Sequence, residues 1–103
     1  MKAAYLTEWK KLGVAELPVP QISEGEALIR VTYAGICGSD VHIFEGNHPT
    51  AKAPMIMGHE FVGTVEQLSG NPENGIKVGD RVTAYPLISC GRCAACLEGN
   101  PHV

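Results

Sequence analysis

Apolar and polar positions alternate along this chain in short bursts, and a glycine or proline closes each burst before it grows long. Residues 2–9 mix small, aromatic and β-branched side chains and predict a first strand. Gly13 predicts a turn, and residues 14–17 begin a second strand that Pro18 and Pro20 end. Ser23-Glu24-Gly25-Glu26 carries turn chemistry. Residues 27–36 follow as the strongest strand signal, and strict alternation makes Ile29, Val31 and Tyr33 its inward set. Residues 39–45 fit one short helical turn, with Ser39 or Asp40 as its N-cap. A loop over residues 46–54 leads to an apolar run over 55–68, read as a strand bent or bulged at Gly58 and Gly63. Residues 69–75 make a polar turn, and Gly79-Asp80 turns into a last strand over 82–85. The chain is thus mainly β, with roughly five or six short strands arranged as a small irregular barrel.

Composition narrows the class. A chain of 103 residues is long enough for one domain and too short for two. With net charge −3 and only 8 Lys and Arg, it lacks the basic footprint needed to bind nucleic acid. No apolar run approaches the roughly twenty residues of a membrane span. Glu8 interrupts the N-terminus before a signal peptide's apolar stretch could form. The cytoplasm is the expected compartment, where thiols stay reduced. The 4 cysteines therefore read as metal or catalytic residues rather than disulfides.

Cys90, Cys93 and Cys96 stand at C-x2-C-x2-C spacing, which lets the backbone curl around one ion and turn successive thiolates inward. Gly91 relieves the turn, while Ala94 and Ala95 add no bulk. Buried thiols that merely pack a core are a poor fit, because the segment has almost no other apolar content. Tetrahedral thiolate sites suit zinc or an iron–sulfur cluster. The bacterial ferredoxin run would place a fourth cysteine where Asn100 stands before Pro101, which argues against a cluster. A closed zinc site needs four ligands; Cys37 and His102 are candidates for the fourth, and otherwise one ligand is missing or lies beyond the chain end.

Two other segments concentrate chemistry. Cys37 ends the strong strand between glycines, where side chains face clefts. A lone cysteine in such a place is usually an inert buried thiol, but Ser39, Asp40 and His42 follow within five residues. Asp40 is suited to hold a ligand imidazole by its ring N–H, and Ser39 and His42 to pass a proton. His59 lies within the second apolar run, beside Gly58. Taken alone it reads as a satisfied core histidine. Paired with Cys37 it supplies two of the three protein ligands of a catalytic zinc, with the Glu60 carboxylate adjacent.

Gly35-Ile36-Cys37-Gly38-Ser39-Asp40-Val41-His42, Gly58-His59-Glu60-Phe61-Val62-Gly63, Val78-Gly79-Asp80-Arg81-Val82 and Cys90-Gly91-Arg92-Cys93-Ala94-Ala95-Cys96 occur here in order. Over essentially the whole chain this resembles the zinc-containing medium-chain alcohol and polyol dehydrogenases. The resemblance implies a GroES-like partial β-barrel with a cysteine-rich zinc lobe at its C-terminal end. It implies that Cys37 and His59 ligate a catalytic zinc with Glu60 beside it and Asp40 behind, that Ser39 and His42 line a proton relay, and that Cys90, Cys93 and Cys96 bind a structural zinc. The family's fourth cysteine would fall just past Val103. Gly38 stands where many simple-alcohol dehydrogenases carry an arginine, which looks more like the polyol, threonine and sugar-acid enzymes. The loop Glu45-Gly46-Asn47-His48-Pro49 resembles bacterial polyol or sugar-acid members. No Gly-x-Gly-x-x-Gly motif follows a strand. The expectation is a truncated, homo-oligomeric enzyme acting on a small alcohol or polyol, with NAD or NADP bound by an absent domain and no turnover by residues 1–103 alone.

Overall fold

A computed structural model describes residues 1–72 and 74–101. Strands β1 (Lys2–Glu8), β2 (Lys11–Glu16) and β3 (Ala27–Ala34) precede helix α1 (Gly38–Glu45). Strands β4 (Met55–Ile56), β5 (Phe61–Leu68) and β6 (Arg81–Thr83) follow, and helix α2 (Ala94–Leu97) lies in the cysteine segment. The strands form two antiparallel three-stranded sheets, β2-β1-β4 and β3-β5-β6. The chain is mainly β, as expected, with its strands in two open sheets.

The first hairpin turns at Trp9-Lys10 rather than at Gly13, which sits inside β2 opposite Tyr5. Lys10 takes the positive φ of 63° that the tight turn requires. The Lys10 N–H also donates to the Phe44 carbonyl at 2.8 Å, tying the hairpin to the end of α1. There Gly46 closes the helix in a left-handed conformation, φ 80°. A Cβ on Gly46 would lie 3.1 Å from Cγ of Trp9, so the indole packs directly on the helix cap.

The expected inward set of β3 is corrected. Ile29 is half-buried, but Val31 and Tyr33 are 52% and 70% exposed. β3 is an edge strand, and its pairing with β5 slips between Leu28 and Ile29 and again between Val31 and Tyr33. Each slip breaks the two-residue alternation on which the expectation rested. The apolar run over 55–68 is likewise two strands in different sheets, not one bent strand. β4 pairs with β1 and β5 with β3, and Gly58, at φ 104°, lies in the link between them. His59 therefore stands in that link and not in a strand. The last strand covers Arg81–Thr83, ending before Ala84 and Tyr85.

Leu6 of β1 and Val65 of β5 are fully buried, one in each sheet, and Ile43 of α1 joins them in the core. Gly63 sets the spacing between β3 and β5. A Cβ there would overlap the Arg30 carbonyl oxygen and lie 2.7 Å from Cγ2 of Ile29. Backbone is the obstacle, so the strands would have to separate. Gly63→Ala is expected to destabilise the chain by about 1–3 kcal/mol in urea unfolding. Gly13→Ala, with nothing within 4 Å of the added methyl, should be neutral or slightly stabilising. Equal effects of the two would refute this account of the β3–β5 spacing.

Candidate functional site

Two side-chain clusters carry candidate chemistry. In the first, Cys37 lies between β3 and α1, while His59 and Glu60 lie just before β5. Pairing of β3 with β5 brings these segments together, and Gly35 N–H donates to the Glu60 carbonyl at 2.8 Å at the end of the ladder. One ligand atom from each of Cys37, His59 and Glu60 falls within 4.8 Å of the others.

Asp40 organises this cluster. Cys37, rather than Ser39 or Asp40, is the N-cap of α1, which puts Asp40 at the third helical position. Its Oδ2 accepts the Cys37 N–H at 2.9 Å, and its Oδ1 lies 3.4 Å from Nδ1 of His59. The carboxylate is only 7% exposed, so these contacts replace water that it has lost. The Asp40 carboxylate faces the Nδ1 edge of the His59 ring, which leaves Nε2 on the other edge. Nε2 is also 3.3 Å from the Ser39 hydroxyl.

The electrostatics follow from these neighbours. The Ser39 hydroxyl, the Ser39 backbone N–H and the His59 ring all favour the Cys37 thiolate and lower the thiol's pKa, against burial and the Glu60 charge. His59 is raised chiefly by its contact with Cys37, then by Asp40, against desolvation. Both shifts favour a thiolate, the form that binds a metal ion. His42 is exposed on α1, and no hydrogen bond joins its ring to Ser39 among the described residues.

The second cluster is Cys90, Cys93 and Cys96. Gly91, at φ 69°, turns the chain after Cys90, and Cys93 caps α2. Sγ of Cys96 lies 3.9 Å from that of Cys90 and 3.5 Å from that of Cys93. A zinc tetrahedron with bonds of about 2.3 Å has sulfur–sulfur edges of about 3.8 Å, so the two edges at Cys96 already stand near ligand spacing, and all three sulfurs lie within 4.8 Å of one another. All four cysteines are free thiols. His102, the other candidate fourth ligand, lies outside the described residues.

Sequence reasoning missed a cavity of about 380 Å³ beside the first cluster. Leu12, Ile36, Val41, Phe44 and Met57 line it, with Asp40 in its wall. These residues come from four separate segments, so no local pattern announces the cavity. Among the described residues, no helix is long and apolar enough to cross a membrane.

Residues 23–103 match the alcohol dehydrogenase GroES-like domain, and the chain belongs to that family. It is 41% identical over 103 residues to the starvation-sensing protein RspB of Escherichia coli K12, covering 100% of this chain and 30% of RspB. It is 44% identical over 104 residues to the sorbitol dehydrogenase of Bacillus subtilis 168, covering 97% of this chain and 29% of that enzyme. The crystal structure of a short chain alcohol dehydrogenase (rspB) from E. coli CFT073, complexed with NADH, superposes with a TM-score of 0.86 at 39% identity. That match covers 98% of this chain and 29% of the other. The chain thus spans under a third of the length of these relatives.

Cys90 offers a direct test of the lobe. Backbone N–H groups of Arg92 and Cys93, and then the Cys93 side chain, lower its pKa to about 7. In metal-free protein its thiolate fraction, and hence its alkylation by iodoacetamide, should rise with pH through a midpoint near 7. An ordinary thiol would rise at about 8.5. Pulsed alkylation read by peptide mass spectrometry measures this, and an ordinary midpoint at Cys90 would refute the hydrogen-bonded geometry.

Proposed function

We propose that this chain is the alcohol-binding, N-terminal catalytic domain of a zinc-dependent NAD(P) dehydrogenase that oxidises a secondary alcohol of a polyol or sugar acid. The observation that carries the reading is the convergence of Cys37, His59 and Glu60 with the buried Asp40 carboxylate behind them. The donor set fits the metal: one thiolate, one imidazole and one carboxylate leave room for a substrate oxygen. The nucleotide-binding domain lies outside these 103 residues in this reading, in keeping with the share of its relatives that the chain spans.

Bound at these groups, zinc supplies the Lewis acidity that loosens an alcohol proton, and a nicotinamide accepts the hydride. The protein's own residues do the rest. Cys37 and His59 hold the metal, with Glu60 as third donor or close neighbour. Asp40 fixes the His59 tautomer and holds the Cys37 backbone in place. Ser39 Oγ takes the substrate's proton as its own hydroxyl proton leaves towards the exposed His42, which passes it to solvent. The apolar side chains of the adjacent hollow offer the reacting carbon an apolar surface. Cys90, Cys93 and Cys96 hold a second zinc that serves as scaffold. Gly38 after Cys37 and the likeness to a sorbitol dehydrogenase support the polyol class. We further propose a homo-oligomeric, cytoplasmic enzyme when the remaining domain is present.

Zinc stoichiometry tests the reading. The chain should bind two zinc ions, and Cys37→Ala should bind one while the lobe cysteines remain protected from alkylation. If Cys37→Ala leaves the stoichiometry unchanged, the domain is a zinc-binding module without a catalytic metal.

A further inference from the structure

Gly35 has no conformational reason to be glycine. Its φ lies outside the left-handed region, unlike those of Gly46 and Gly58, so any residue could adopt its backbone. Its surroundings supply a different reason. The three atoms nearest to a Cβ built on Gly35 all belong to Glu60: Oε2 at 3.1 Å, Cβ at 3.6 Å and the backbone oxygen at 3.9 Å. The Glu60 carboxylate thus lies against bare backbone at the end of β3, in the space a side chain would fill. From there it reaches within 4.8 Å of the Cys37 and His59 ligand atoms.

We infer that Gly35 is a positioning residue for Glu60, leaving room for the carboxylate to stand beside Cys37 and His59. The inference rests on the metal reading above and extends it to a residue with no donor atom of its own. The geometry also says which partner would yield to a substitution. Glu60 is exposed and its carboxylate ends a flexible side chain, whereas Gly35 is held to β5 by its N–H bond to the Glu60 carbonyl. A methyl at position 35 therefore pushes the carboxylate aside by a few tenths of an ångström and leaves the sheet in place. In this respect Gly35 differs from Gly63, where backbone is the obstacle.

Cobalt(II) is the probe, added to metal-free full chain and followed by its visible absorption. The cluster's share of the spectrum is the difference from Cys37→Ala. Gly35→Ala should leave the thermal unfolding midpoint unchanged, shift the cluster's cobalt bands and weaken cobalt binding there on the order of tenfold. Glu60→Gln should shift the same bands. In the Glu60→Gln background, Gly35→Ala should change neither bands nor affinity, because the group it displaces no longer ligates. An unaltered spectrum and affinity in Gly35→Ala would overturn the inference, as would equal effects in both backgrounds, since those mark a general structural role. If the unsubstituted chain shows no cobalt band that depends on Cys37, the metal reading itself falls and this inference with it.

Discussion

The Asp40 carboxylate is the constraint on which the site depends. A buried carboxylate without partners costs several kcal/mol, so the surrounding chain must deliver donors to it. It receives the Cys37 N–H on one oxygen and faces His59 Nδ1 with the other. Those donors come from segments far apart in sequence, one where β3 gives way to α1, the other from the link between β4 and β5. Satisfying one side chain thus fixes the Cys37 backbone and the His59 imidazole relative to each other. No buried side-chain polar atom among the described residues lacks a partner.

The rest of the architecture holds the two ends of this arrangement. The N-terminal end of α1 carries Cys37, Ser39 and Asp40, and its C-terminal end is pinned by Trp9 and Lys10 of the first hairpin. Gly63 lets β3 and β5 approach closely, which brings Gly35 and Glu60 into register. The cysteine lobe stands apart, built on local turns and the short α2. Its thiols reach ligand spacing without help from the sheets. The two clusters therefore differ in kind, one assembled by tertiary packing and the other by local chain geometry.

That difference explains what was legible in the sequence. C-x2-C-x2-C spacing is a local statement, and the structure brings Cys90, Cys93 and Cys96 together as the spacing implied. Cys37 and His59 are 22 positions apart, so no spacing rule joins them; ligand chemistry suggested the pair, and the family resemblance gave it its specificity. Strand existence was readable from glycine and proline punctuation, but the sides that strands bury were not. Val31 and Tyr33 are exposed because β3 lies at a sheet edge and slips register twice, events set by its partner strand. The apolar run over 55–68 concealed a change of sheet at Gly58, since both strands are apolar and periodicity cannot reveal which neighbour each will choose. The Trp9-Lys10 turn escaped notice because Gly13 was the more conspicuous turn residue nearby.

If Asp40 organises the site, its charge should matter more to metal binding than to folding. Asn keeps the size and one acceptor oxygen but cannot accept at both positions. Zinc affinity at the Cys37 cluster, measured by competition with a chromophoric chelator, is the direct test on Asp40→Asn. The expected result is binding weakened by about 10–100-fold, with the lobe's zinc affinity unchanged. Unchanged affinity at the cluster would contradict the account.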